Sequence, residues 1–410
     1  MMQLFCVGSP QPLSQRTPDP SRRLVQMLEV HVLGTSSARP AHGRSVSGSV
    51  IDTPVGQILV DCGEGLQQRM KDHSARLKNC GMQQRLRHTR LRLVLLTHGH
   101  LDHCWGVLPL LQSMALDGRS KPLVIAAPIS DIAFDTLIQG GAYAELNDVG
   151  IARVDLARQW QHWWSLGATF DQLGYEIAWY AVDHSTGERW MRLSPESGEC
   201  ELLSDQVDLV DGLKISSHET LHSVPSCAWS VRLADKPGRF DKEKADQLGL
   251  GVEQVSSLAD GHDVEFSGQS LKAADFRAPS KAGLAVLISG DTKAGVPSFE
   301  ELGKSGVGLD LLIHEATYTD IKQDKADEWM HSSARDAAKA AITMGAKHLV
   351  LTHYSSSLDE TSTSVSQAKE LHPSCSAAED GDIIRLNYEG ISQLRWDGRG
   401  WSQVKDAFVQ

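Results

Sequence analysis

With 410 residues and 41% hydrophobic side chains, the chain can bury a large core, as two or three domains or as one α/β domain with an insertion. A formal net charge of −12 and a pI near 5.8 exclude a uniformly basic nucleic-acid binder. No apolar run approaches the ~18 residues of a membrane span. Seven scattered cysteines without a C-x-x-C pair exclude a disulfide framework and fit reduced thiols in a cytoplasmic protein.

Residues 1–26 hold four prolines and no apolar signal-peptide core, so a disordered N-terminal extension is expected there. Regular patterning starts at Met27. Leu28 to Leu33 alternates and meets the polar turn Gly34-Thr35-Ser36-Ser37, a strand signal. Ser49 to Ile51 and Gln57 to Val60 read as two more strands, the second ending in Asp61-Cys62-Gly63-Glu64-Gly65. A helical segment follows. From Leu66 to Arg92 it carries eight Arg or Lys against Asp72 alone, which is either a solvated face or a phosphate-attracting rim beside the next motif.

That motif is Thr97-His98-Gly99-His100-Leu101-Asp102-His103, placed directly after the apolar run Leu93 to Leu96. Such a run reads as a buried strand. Crowded nitrogen and oxygen donors at its end suit a divalent transition metal, zinc above all. A helix through Met114 and a strand from Leu123 to Ala127 come next. Residues 145–211 differ in character, with thirteen Asp or Glu, four Arg, no Lys and five tryptophans. They read as an insertion with its own small apolar packing, its tryptophans serving burial rather than base stacking.

From Leu213 onward strands and helices alternate, the pattern of an α/β or layered α+β fold. Ala285 to Ser289 ends at Gly290-Asp291, Asp310 to Ile313 ends at His314-Glu315, and Lys347 to Leu351 ends at Thr352-His353. The sandwich-forming region is expected over 27–395, with 396–410 as a tail. His222, Asp291 and His353 share the strand-end placement of His98. With His98, His100, Asp102 and His103 they make seven donors, enough for two metals sharing one carboxylate.

Together these motifs resemble the metallo-β-lactamase superfamily, and within it the ribonuclease Z branch of tRNA 3′-processing endonucleases. The resemblance rests on Asp61 to Gly65, His98 to His103, His222-Ser223-Val224-Pro225-Ser226, and Lys236-Pro237-Gly238-Arg239-Phe240-Asp241. It continues in Ser289-Gly290-Asp291-Thr292, His314-Glu315-Ala316-Thr317, His331-Ser332-Ser333-Ala334 and Leu351-Thr352-His353-Tyr354-Ser355.

The resemblance implies a four-layer αββα sandwich with an inserted arm. It also implies two Zn2+, one held by His98, His100 and His222. Asp102, His103 and His353 would hold the other, with Asp291 bridging. An N/O donor set also accepts Mn2+ or Fe2+. The implied activity is removal of the 3′ trailer from precursor tRNA by metal-activated hydroxide, oriented by Asp102 and Asp291. His331 is the expected proton donor to the leaving oxygen, with Glu315 on its other ring nitrogen. A homodimer is the assembly of short ribonuclease Z proteins, and the residues leave it open.

Three departures bear on substrate. Gly106-Val107-Leu108-Pro109 stands for Gly-Leu-Pro-Gly, and Ser357-Leu358 replaces an Arg-Tyr. Residues 145–211 are acidic where the branch carries a basic, Gly/Pro-rich arm. The alternative reading is therefore a hydrolase of the same fold acting on another phosphodiester or a small ester. A degenerate binding relative would lack ligands, and no ligand is missing.

Overall fold

The computed structural model describes residues 27–82, 85–141, 143–203 and 207–409. The expected extension at 1–26 lies outside the described residues. Nineteen strands are found among them. In chain order they are β1 (Leu28–Gly34), β2 (Gly48–Thr53), β3 (Gly56–Val60), β4 (Leu91–Leu95), β5 (Leu123–Ile129), β6 (Ile177–Asp183), β7 (Trp190–Leu193) and β8 (Cys200–Leu203). Then come β9 (Leu213–Glu219), β10 (Cys227–Leu233), β11 (Val264–Phe266), β12 (Gln269–Leu271), β13 (Ala285–Ile288), β14 (Leu309–Glu315) and β15 (Ala346–Thr352). The last four are β16 (Cys375–Ala377), β17 (Asp382–Asn387), β18 (Gly390–Trp396) and β19 (Trp401–Gln403).

One sheet runs β19-β18-β17-β1-β2-β3-β4-β5-β6-β7-β8, the other β16-β15-β14-β13-β10-β9. Strand alternation decides how they stack. In β1, Leu28, Val30 and Val32 enter an inter-sheet core, where they meet Trp229, Val231, Leu311 and Val350 of the second sheet. Leu33 faces the other way, into a core with Leu66, Met70 and Leu77 of the helix Leu66–Asn79. The second sheet's outer face is covered by helices Pro297–Lys304 and Ala334–Met344, through Phe299, Ala337 and Ala341. The layers are therefore αββα. From Leu93 onward β4 is buried on both faces, which is why Leu93 to Leu96 reads as an unbroken apolar run.

Several boundaries differ from the sequence expectations. The basic segment is helical only to Asn79, where Cys80 and Gly81 turn the chain. Residues from 145 do not pack by themselves. Helix Leu156–Ser165 lies on the first sheet, β6 pairs in parallel with β5, and β7 and β8 extend the same sheet. Trp160, Trp163 and Trp179 belong to that sheet's outer core, and Trp190 packs on Trp229 between the sheets. Their burial was expected; the separate subdomain was not found, because these strands complete the main sheet.

A separately packed module does exist, between β10 and β13. Ala245, Leu250, Leu258, Ala273 and Phe276 form its small core beneath the β11–β12 hairpin. Reciprocal backbone bonds between Lys236 and Lys281 close its base. The expected tail is likewise corrected, since β19 pairs with β18 and Phe408 packs against His348.

Candidate metal centre

All the donors expected from the sequence sit at one edge of the sandwich. β4, β13, β14 and β15 run so that their C-terminal ends share that edge. β10 is antiparallel to β13, so its start, just after His222, reaches the same place. The two sheets are joined there, Cys227 donating its N–H to the Thr97 carbonyl at 2.9 Å. Ligands at strand ends project from a rigid frame while the turns beyond the strands stay free to shape a pocket.

Two donor groups result among the expected ligands. His98, His100, His222 and Asp291 form one, and Asp102, His103 and His353 the other, while His331 joins Asp291 and His353 in a third. His98 Nε2 lies 3.0 Å from His100 Nδ1, which lies 3.2 Å from His222 Nε2. His103 Nε2 and His353 Nε2 are 3.2 Å apart. Asp291 stands between the groups. Its Oδ1 is 3.3 Å from His103 Nε2 and 3.2 Å from His353 Nε2, while its Oδ2 is 3.8 and 3.9 Å from His98 and His222 Nε2. Asp102 Oδ2 is 3.5 Å from His103 and 3.6 Å from His353.

The donor set fits divalent metal. Imidazole lone pairs converging at 3.0–3.2 Å repel unless a cation or proton lies between them. Asp291 is 3% exposed, and its Oδ1 is buried without a hydrogen-bond partner, an arrangement a structure keeps only if something else satisfies the oxygen. Burial, with neighbouring imidazoles adding to it, holds His98 far below the usual histidine range and His100 at about 4. These two rings are neutral, the form that ligates. Burial opposes charge on His103 as well, but the Asp291, Asp61 and Asp102 carboxylates override it and raise that ring well above its usual range. A metal at this position takes the place of the proton.

The remaining nitrogen of three of these rings is held. Asp61 Oδ2 is 2.7 Å from His103 Nδ1 and also accepts from Thr97 Oγ1. Met330 O is 3.1 Å from His222 Nδ1, and Thr317 Oγ1 is 3.0 Å from His353 Nδ1. The Ala38 N–H donates to Asp102 Oδ2 at 2.8 Å. Such partners fix tautomer and ring orientation. Sequence reading missed these supporting roles. Only Asp61 carried a signal, being a carboxylate at a strand end like the ligands themselves. Backbone strain gathers here too, since Asp61 (φ 59°), Met330 (φ 56°) and His353 (φ 57°) are left-handed without being glycine.

Glu315 and His331 flank the donors. Glu315 Oε1 is 2.8 Å from His331 Nδ1 and accepts the Thr292 N–H. Its Oε2 accepts from Thr317 Oγ1 at 2.6 Å. Burial disfavours a charged His331, yet Glu315 and then Asp291 outweigh it and lift the ring to about 9. His314, the neighbouring candidate, is buried and bonds the Glu315 carbonyl through Nδ1, a structural role.

Only the start of the basic segment is brought near this centre: Arg69 donates to the Glu64 and Val46 carbonyls, next to Ser47, whose Oγ is 3.4 Å from His103 Nε2. Arg87, Arg90 and Arg92 stand at or before the start of β4, and the donors follow its end. Five strand residues put them roughly 15–20 Å away. Lys71, Lys78, Arg85 and Arg87 instead line a separate cavity of about 620 Å³ beneath helix Leu66–Asn79.

Comparison with known proteins agrees with this architecture. Residues 57–201 match the β-lactamase superfamily domain. Ribonuclease Z of Methanosarcina acetivorans is 28% identical over 364 residues, covering 88% of this chain and 99% of that protein. Ribonuclease Z of Myxococcus xanthus is 28% identical over 366 residues, with the same coverage of each. Among solved structures, a metallo-β-lactamase fold protein from Bacillus subtilis superposes with a TM-score of 0.53 at 16% identity, covering 88% of this chain and 100% of that one. A long-form RNase Z from yeast gives 0.52 at 17%, covering 90% of this chain and 43% of that one.

Proposed function

Because the chain has the metallo-β-lactamase fold and is similar to ribonuclease Z proteins along most of its length, we propose that it is a metal-dependent endoribonuclease removing the 3′ trailer of precursor tRNA. The observation that carries this reading is the Glu315–His331 pair set beside the double donor group. A hydrolase of small esters needs the donors; a poor alkoxide leaving group needs a positioned acid as well.

His98, His100 and His222 would hold one ion, and Asp102, His103 and His353 the other, with Asp291, placed between the two groups, available to both. Two zinc ions are the proposed content. Divalent ions at such donors lower the pKa of bound water and neutralise charge developing on phosphate oxygens. The protein's own part is placement and proton delivery. Asp61, Met330 and Thr317 keep three imidazoles aimed at the centre. His331 keeps Nε2 available while Glu315 holds Nδ1, and the proton on that ring passes to the departing 3′ oxygen.

A second reading, hydrolysis of another phosphodiester, draws support from the acidic stretch 145–211 and from the distance of Arg87, Arg90 and Arg92. Assaying metal-loaded protein on a trailer-bearing precursor tRNA and on a small chromogenic phosphodiester separates them. Cleavage of the precursor at the mature 3′ end supports the first reading. Hydrolysis of the small diester alone replaces it with the second.

A further inference from the structure

Two large aromatic side chains are left in solvent close to the donors. Trp105 is 58% exposed and Trp329 is 60% exposed, although most tryptophans of this chain that are described are at least partly buried. Trp105 lies two residues after His103, at the end of the turn Leu101–Cys104, where its N–H bonds the Leu101 carbonyl and fixes it. Leu101, one helical turn earlier, is also exposed at 49%. Trp329 lies two residues before His331. Its neighbour Met330 is anchored by the contact of its carbonyl with His222 Nδ1, and the His331 N–H bonds the Ala326 carbonyl, closing the turn around it.

The two tryptophans come from different sheets. Trp105 follows β4 of the eleven-stranded sheet, and Trp329 lies on the connection between β14 and β15 of the six-stranded one. The donors lie where these sheets meet, so the two tryptophans sit on segments that reach the centre from different sheets, each two residues from a site histidine. Each rests on backbone bonded to a donor residue or adjacent to one. A phosphodiester at the centre has one nucleotide on each side. Every nucleobase offers a π-face, and a base lifted out of its helix is held most simply by an exposed ring.

Cations stand on the same rim. Arg39 follows Ala38, whose N–H reaches Asp102, and Lys322 reaches Ser357 on the loop after His353. Positive charge for the backbone and aromatic faces for the bases is the combination that single-stranded nucleic acid requires.

We propose that Trp105 and Trp329 are stacking residues that receive the unpaired nucleotides flanking the scissile phosphate, one on each side. This rests on the nuclease reading above and names the substrate feature that the centre selects. The test uses full-length, metal-loaded Trp105→Ala and Trp329→Ala with the matching Phe variants. Each alanine variant is expected to lose about five- to a hundredfold in kcat/KM on precursor tRNA. Turnover of bis(p-nitrophenyl) phosphate stays unchanged, and phenylalanine restores most of the loss. Equal losses on both substrates, or none on the tRNA, overturn the proposal.

A second arm keeps the proposal separate from the nuclease reading. Fluorescence anisotropy with a labelled single-stranded oligodeoxynucleotide reports stacking without cleavage. Weaker binding by the alanine variants sustains the stacking role even if precursor tRNA is not cut. Binding equal to that of the parent protein rejects the role even if precursor tRNA is cut.

Discussion

Replacing His331 with alanine is expected to leave the metal content unchanged and to cut phosphodiester turnover by about 10²–10⁴-fold. Its Nδ1 is taken by Glu315, and the ring borders the donor groups through Asp291. Metal analysis and steady-state kinetics on one preparation check this; a variant that loses metal makes His331 a ligand. Asp61→Asn tests the opposite kind of residue. It disturbs the 2.7 Å contact with His103 Nδ1, so metal affinity is expected to fall about 10- to 100-fold. Chelator competition reads that directly.

Acid stability is set partly by a histidine remote from the centre. His73 is 2% exposed and 2.9 Å from His31 Nδ1, and burial, then Arg76, push it down to about 3. Its folded pKa is lowered, so the unfolded chain takes up a proton first. The stability it contributes is whole above about pH 6.5 and is lost as pH falls towards 3. At pH 5 the loss is about 2 kcal/mol. Urea unfolding at pH 7 and pH 5 should show a smaller drop for His73→Gln than for the parent; parallel drops contradict the assignment.

At the scale of elements, the turn after β13 is the least forgiving. Gly290 has φ 60°, and a Cβ there would lie 2.6 Å from Thr97 Cβ. Gly290→Ala must therefore displace either Asp291 or the loop that carries His98. The expected result is a folded protein that loses its metal on dialysis against chelator. Parent-like retention would show that this turn does not position Asp291. The 236–281 module behaves in the opposite way. Its core is its own and its base is two backbone bonds between Lys236 and Lys281. Replacing residues 237–280 by a short Gly-rich turn is expected to leave a folded sandwich with full metal content, measured by circular dichroism and metal analysis.

Local signals made some elements readable and left others hidden. The second half of β4 was legible because burial on both faces from Leu93 onward demands an apolar run, and the histidines sit where that run stops. The helix after Gly65 was overextended, because Lys and Arg suit a helix and a loop alike and only Gly81 marked its end. The stretch from 145 was misread since its charge describes the exposed face. Trp160, Trp163 and Trp179 on the other face join it to the main core. Only long-range pairing, β6 with β5, decides between those readings. The true separate module was hidden in a mixed-charge stretch of ordinary composition.

For the whole molecule, the seven donors were readable one by one, but their partition into two groups needed the sandwich. His98 and His353 lie 255 residues apart in the chain and meet only because β4 and β15 end at one edge of facing sheets. Of the two readings open for the basic segment, a rim beside the centre fails for Arg87, Arg90 and Arg92 for the same reason, since strand direction sends them to the far end. With few cations near the donors and a net charge of −12, RNA binding rests on a small number of phosphate contacts. The logarithm of affinity should therefore fall only shallowly with the logarithm of salt concentration, with a slope magnitude of about 2–4. A much steeper slope in filter binding would place the RNA on another, more basic face.

The most direct test is incubation of the zinc-loaded chain with a precursor tRNA bearing a 3′ trailer, with the product ends mapped. The expected result is a single cut at the mature 3′ end, abolished by chelator and restored by added metal. An intact precursor beside active hydrolysis of a small phosphodiester would contradict the account.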